Sequence, residues 1–178
     1  MQIAPTPLAG LFTVETEPQG DERGFFHRLF DADSFADAGI DFLPRQSGIS
    51  RNLRRGTLRG LHYQKAPAEQ AKLVRCLAGA IFDVAVDIRS GSATHGQWYG
   101  LELTPENSRA LFIPGGFAHG FITLVDDTDV LYELGAGERR ELSAGLRWND
   151  PAFSIRWPLE PAVINRRDAE WPDFRSES

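Results

Sequence analysis

Apolar residues in this chain come in short alternating runs and almost nowhere at helical spacing. In Phe82-Asp83-Val84-Ala85-Val86-Asp87-Ile88, large apolar positions alternate with small or acidic ones, the two-residue period of a strand. Similar runs separated by Gly or Pro predict strands over residues 58–63, 72–77, 80–88, 97–104, 110–113, 120–124 and 129–134. Ala78-Gly79 reads as the turn of a hairpin. Upstream, Leu11-Phe12-Thr13-Val14 has strand character inside a proline-rich stretch, so residues 1–20 read as an N-terminal arm. Asp33-Ser34-Phe35-Ala36-Asp37-Ala38-Gly39 predicts a short helix, capped by Asp or Ser and stopped by Gly. After Trp148 the chain is irregular and rich in Trp and Pro. Many short strands with few short helices make it all-β: a sandwich, a barrel or a jelly roll.

Composition narrows the picture. The 178 residues, 42% hydrophobic and 25% charged, suit one domain over 1–178, with the arm at 1–20 and an irregular segment at 149–178. A net charge of −6 argues against nucleic acid or an anionic membrane as partner. The densest basic run, Arg51, Arg54, Arg55 and Arg59, suits a diphosphate at a pocket instead. No stretch reaches the roughly 20 apolar residues that a membrane span needs, and the start carries no basic-then-apolar leader, so the expected location is cytoplasmic. Cys76, the single cysteine, lies among apolar neighbours and reads as an inert strand thiol.

Candidate chemistry centres on the four histidines, His27, His62, His95 and His119. His62 sits on a predicted strand in Arg59-Gly60-Leu61-His62-Tyr63-Gln64, and His119 follows the turn Pro114-Gly115-Gly116. A jelly roll would aim both into a barrel that a ligand can enter. His95, in a polar turn, reads as an exposed side chain. Zinc or iron sites gather three or more His, Cys or carboxylate ligands, often with two closely spaced histidines. Here Gln64 stands two residues after His62, and Gly115, Gly116 and Ala118 surround His119, so no metal is expected.

The chain resembles the dTDP-4-dehydrorhamnose 3,5-epimerase family, a metal-free branch of the cupins. The likeness is carried by Asp21-Glu22-Arg23-Gly24-Phe25-Phe26, Gly56-Thr57-Leu58-Arg59-Gly60-Leu61-His62-Tyr63-Gln64 and Ala71-Lys72-Leu73-Val74-Arg75. Phe82-Asp83-Val84-Ala85-Val86-Asp87, Ile113-Pro114-Gly115-Gly116-Phe117-Ala118-His119-Gly120-Phe121 and Arg147-Trp148-Asn149-Asp150-Pro151 continue it in the family's order. The resemblance implies a cupin-type jelly roll that epimerises a nucleotide-linked 4-keto-6-deoxyhexose, such as dTDP-4-dehydro-6-deoxyglucose, at C3, C5 or both, without a cofactor. By the same resemblance His62 is the base and Asp168 orients it, Tyr132 is the opposing proton donor, and Lys72 stabilises the enolate. His119 and Asp83 match further pocket residues, Arg23, Gln46 and Arg59 match nucleotide or phosphate contacts, and Phe26 matches the base-binding end. The implied assembly is a homodimer that exchanges N-terminal strands.

Between Tyr132 and Trp148 the pattern departs from the family while keeping its spacing. Glu138 stands where a second, ligand-contacting tyrosine is expected, Ser143 where Glu is common, and Gly48 where Asn is common. These changes leave open the nucleotide and whether one or both carbons are inverted. They also motivate a second reading, a sugar-nucleotide binding cupin without turnover; a metal-dependent cupin is the third.

Overall fold

The computed structural model describes residues 1–137 and 139–174. Its strands are β1 (Gln2–Pro5), β2 (Phe12–Glu15), β3 (Gln19–Asp21), β4 (Gly24–Phe26), β5 (Gln46–Asn52), β6 (Thr57–Gln64) and β7 (Lys72–Ala78). They continue with β8 (Ile81–Asp87), β9 (Trp98–Leu103), β10 (Arg109–Ile113), β11 (Phe117–Thr123), β12 (Thr128–Leu134), β13 (Ser143–Gly145) and β14 (Val163–Ile164). The helices are α1 (Ala32–Asp37) and α2 (Arg166–Ala169). Among the described residues no helix is long and apolar enough to cross a membrane.

Two sheets face each other as an all-β jelly roll. One has the order β1-β2-β10-β7-β12-β5, the other β13-β6-β11-β8-β9, and β3-β4 form a separate hairpin. Pairing is antiparallel except where β14 runs parallel to β6. The side chains facing inward between the sheets, Leu11, Val74, Cys76, Ile81, Ala85, Leu111, Phe121 and Val130 among them, form the central core. Each large side chain buried there contributes about 1.5–3 kcal/mol.

The outer faces are covered too, which explains apolar residues at alternate positions the strand period assigns to solvent. Helix α1 and the segment after it lay Phe35, Ile40 and Phe42 against Leu73 and Phe112. On the other sheet, Val84 and Val86 lie beneath Leu146, Phe153 and Trp157 of the C-terminal segment. Residues 1–20, read as an arm, supply β1 and β2 to the larger sheet, with Leu8, Leu11 and Val14 buried. Helix α1 begins earlier than the sequence suggests, because Asp31 caps it by accepting from the Ser34 backbone N–H at 2.9 Å.

The turn at Ala78-Gly79 is not a hairpin. Strands β7 and β8 lie in different sheets, so the chain turns a corner there. Gly79 has φ +77°, and a Cβ on it would collide with Thr128, so the corner needs glycine. A single-sequence turn signal is the same for a hairpin and for a corner between sheets.

At the end of β8 the carboxylate of Asp87, wholly buried, organises the β8–β9 connection. It accepts from Arg89 Nε at 2.9 Å, Ser92 Oγ at 2.6 Å and Thr94 Oγ1 at 2.6 Å. Burial alone would raise its pKa, but these bonds and the Arg89 backbone N–H hold it well below the ordinary aspartate value of 3.8. The resulting stabilisation is fully present above that value and is lost as pH falls toward the folded-state one. Asp87→Ala is expected to cost about 1–3 kcal/mol, because it removes the buried acceptor shared by Arg89, Ser92 and Thr94. A urea titration at neutral pH, compared with the natural protein, measures the loss, and a change below 1 kcal/mol would contradict the assignment.

Candidate active site

Antiparallel register brings the two candidate histidines together: His119 of β11 lies directly across from His62 of β6. The next pair along is shifted by an irregularity between His119 and Phe121. At Gly60 and Gly120 the strands run so close that a Cβ on Gly60 would meet Gly120 Cα at 2.5 Å. On the facing sheet β12 turns Tyr132 inward against His119, ring centroids 5.9 Å apart and nearly perpendicular. Lys72, at the start of β7, is buried on the same inner side. The residues enclose a cleft of about 380 Å³ at one end of the barrel, whose walls include Gln46, Arg59, His62, Lys72, His119 and Tyr132.

Both histidines are backed by a carboxylate. His62 Nε2 lies 2.8 Å from Asp168 Oδ1, and the other oxygen of Asp168 accepts from the Gly60 N–H at 3.1 Å. Asp168 is 1% exposed and is placed by α2, where the Asn165 side chain caps the Asp168 N–H at 2.7 Å. Burial raises the Asp168 pKa, but the hydrogen bond and charge of His62 and the Gly60 N–H bring it below the ordinary value, so it is a carboxylate. A neutral His62 that donates from Nε2 keeps its lone pair on Nδ1. His119 donates from Nε2 to buried Asp83 at 2.7 Å, and burial lowers its pKa against the pull of Asp83, leaving the ring neutral.

Two further groups have states fixed by the same surroundings. Burial, then the Asp83 charge, pushes the Tyr132 phenol far above its usual range, outweighing Arg59, so it stays protonated. Burial lowers Lys72 to about 8 although Asp83 opposes the shift, so near neutrality it is an ammonium close to losing its proton. The cleft thus holds an imidazole backed by a carboxylate, a phenol and an ammonium within one small volume.

Other sequence candidates fall elsewhere. Arg23 pairs with Asp21 on the β3–β4 hairpin, outside this cleft, and Phe25 and Phe26 beside it are 73% and 64% exposed. Glu138 lies outside the described residues. Of the basic run, Arg59 alone lines the cleft, with its Nε donating to Asn52 Oδ1 at 2.8 Å. Arg51 is held by Asp127 and Asp129 instead. His95 bonds the Arg89 carbonyl and His27 bonds Thr16 Oγ1. Cys76 is buried, and burial pushes its thiol up to about 12, the state of an inert side chain. A larger groove of about 780 Å³ beside the hairpin, lined by Glu15, Glu17, Phe26, Arg28 and Asp31 among others, contains no comparable base and proton donor.

Sequence reasoning passed over Gln64, Gln70 and Arg167, which also line the cleft. The strand period held the signal for Gln64, two residues beyond His62 on one face of β6. Among the described residues no group of three His, Cys, Asp or Glu side chains is placed to hold a metal ion.

Fold and cleft define a cupin-type jelly roll with an ionisable cavity at its open end. A sequence model of dTDP-4-dehydrorhamnose 3,5-epimerase matches residues 5–176. A dTDP-4-dehydrorhamnose 3,5-epimerase from Sinorhizobium fredii is 45% identical over 168 residues, covering 94% of this chain and 86% of that protein. Among solved structures, the dTDP-6-deoxy-D-glucose-3,5-epimerase of Legionella pneumophila, in complex with dTDP-4-keto-L-rhamnose, superposes with a TM-score of 0.91 at 42% identity, covering 97% of this chain and 92% of that one. A 3′-monoepimerase from Streptomyces bikiniensis, in complex with dTDP-quinovose, gives 0.89 at 34% identity, covering 96% and 86%. The chain belongs to the dTDP-4-dehydrorhamnose 3,5-epimerase family, and it is an isomerase.

Proposed function

We propose that this epimerase inverts C3, C5 or both in a nucleotide-linked 4-keto-6-deoxyhexose, with dTDP-4-dehydro-6-deoxyglucose as the substrate, through an enolate. The observation that carries the reading is the His62–Asp168 pair facing the same cleft as protonated Tyr132. The C4 ketone acidifies the hydrogens on its two neighbouring carbons. His62 Nδ1 takes one of them as a proton, and the electron pair of that C–H bond moves into the enolate, leaving negative charge on O4. The Lys72 ammonium offsets that charge. Tyr132 then delivers its hydroxyl proton to the other face of the same carbon, and solvent restores both groups. Asp168 holds the His62 tautomer and stabilises the imidazolium while it lasts.

Arg59 and Gln46 at the cleft are the proposed contacts to the nucleotide diphosphate, and His119 with Asp83 shape the sugar pocket. Glu138 is proposed as a further ligand contact from its sequence position alone. For Arg23 and Phe26 we propose a different route. The exposed β3–β4 hairpin reaches the cleft of a second copy in a cytoplasmic homodimer that exchanges N-terminal strands, where Phe26 meets the base and Arg23 a phosphate. The large apolar exposure at Phe25 and Phe26 supports this reading.

Proton NMR of dTDP-4-dehydro-6-deoxyglucose in heavy water tests the proposal. Deuterium should enter at C3, C5 or both and persist in the presence of a chelator; tight binding without exchange would favour the non-catalytic reading. Exchange that stops with the chelator would favour a metal-dependent cupin. The exchange rate should also fall as pH rises through about 8, where Lys72 loses its charge. A profile that stays flat to pH 10 contradicts the role given to Lys72.

A further inference from the structure

Strand β5 is an edge strand and almost wholly exposed, yet its last residue, Asn52, is only 2% exposed. The Asn52 side-chain nitrogen donates to two backbone carbonyls, those of Ser50 at 2.9 Å and Thr128 at 3.1 Å. A carbonyl can only accept, so the amide's orientation is fixed and Oδ1 is its free end. That oxygen accepts from Arg59 Nε at 2.8 Å, a bond that crosses from one sheet to the other. Arg59 is exposed and lines the cleft with His62, Lys72 and Tyr132, and its charge acts on the Tyr132 phenol. Among the described residues no carboxylate pairs with Arg59, and Asp127 and Asp129 are engaged by Arg51. Asn52 itself lies behind the cleft wall.

A hydrogen bond at Nε leaves both terminal nitrogens of a guanidinium free and fixes the plane in which they lie. Such a fork matches two oxygens of a phosphate. That the partner is an amide matters as well. A carboxylate at position 52 would hold the arginine, but it would offset the arginine's charge and repel an anionic ligand. The amide oxygen orients the group and leaves the charge whole. We propose that Asn52 is a positioning residue, which holds the Arg59 guanidinium in the orientation that grips a phosphate of the nucleotide sugar. The inference rests on the phosphate contact proposed for Arg59 above and identifies what aims it. An arginine already held in one rotamer loses less freedom when the ligand arrives. Asn52 thus acts on affinity through Arg59 alone.

A double-variant cycle on the full chain tests this, with Asn52→Leu and Arg59→Ala made singly and together. Calorimetry with dTDP and with inorganic pyrophosphate should show Arg59→Ala weakening both by about 10- to 100-fold, the worth of charge-assisted hydrogen bonds. Asn52→Leu should weaken both by about 3- to 10-fold, the cost of ordering one long side chain at the moment of binding. In the Arg59→Ala protein, Asn52→Leu should add nothing. In turnover by Asn52→Leu the loss should appear in KM, with kcat held within about twofold. Leucine strips two buried carbonyls of their donor, so Asn52→Ser, polar but too short to reach Arg59, is the second variant and should lose the same affinity. A merely structural effect of position 52 would lower affinity equally with and without Arg59, and that additivity would overturn the proposal. So would a loss carried by kcat instead of KM. Unaltered affinities in both Asn52 variants beside a clear loss in Arg59→Ala would sink this inference and leave the phosphate contact standing. Natural affinities in Arg59→Ala would sink the contact, and the inference with it.

Discussion

His62→Ala is expected to slow deuterium incorporation and epimerisation together, by on the order of 10²–10⁴-fold, the usual worth of a positioned general base. The size follows from the geometry. No other side chain in the cleft is an imidazole with a carboxylate behind it, except His119, whose Nε2 is tied to Asp83 and whose ring is fully enclosed. The fold should survive, because the His62 side chain is 42% exposed and makes no core contact that alanine would empty. Asp168→Asn should cost nearly as much. An amide in place of the carboxylate can turn its NH₂ toward Nε2, which then becomes the acceptor and moves the proton to Nδ1, the nitrogen that must be free. Because the two residues act as one unit, the double variant should be hardly slower than His62→Ala alone. Single-turnover exchange rates for the three proteins check this. Fully additive losses would mean that Asp168 serves the site in some way other than through His62.

Much of this arrangement could be read from sequence, and what could not has a physical reason. Strands β6, β7, β8, β10 and β12 announce themselves because each buries a face against the core, and burial is what imposes the two-residue period. Strand β5 is silent. It is an edge strand whose residues, Gln-Ser-Gly-Ile-Ser-Arg-Asn, are almost all exposed, so no alternation marks it. Yet β5 brings Gln46 to the cleft and Gly48 opposite Tyr132. The corner at Gly79 was misread because turn chemistry is local and sheet membership is not. Pairings such as His62 with Asp168 join residues 106 positions apart and leave no periodic trace. Only the order of motifs along the chain, shared with a known family, pointed to them. Gln64 and Arg167 carry no comparable signal, because an amide and a surface-type cation beside His62 and Asp168 have no chemistry that singles them out in sequence.

Tyr132→Phe should separate two events that His62→Ala abolishes together. Removing the hydroxyl takes away the proposed proton donor on one face and leaves the proposed base on the other. In the proposed mechanism proton abstraction needs His62 and Lys72 but not the phenol, so the enolate should still form and collapse by recovering a proton from the His62 side. The product of that collapse is the starting sugar, now carrying deuterium with its configuration unchanged. Inversion should therefore fall by on the order of 10²–10⁴-fold while exchange at the same carbon stays within about tenfold of the natural rate. The comparison is clean because the Tyr132 hydroxyl hydrogen-bonds to no described residue, so phenylalanine strands no buried partner and keeps the ring packed against His119 and Phe121. The phenol's raised pKa carries the argument one step further: a group held protonated across the working range donates at every pH at which Lys72 is charged. NMR of the recovered sugar, scored at once for deuterium content and configuration, decides the matter. Equal losses of exchange and inversion would show that Tyr132 assists the abstraction step itself, and that the two faces of the sugar are not served by separate groups.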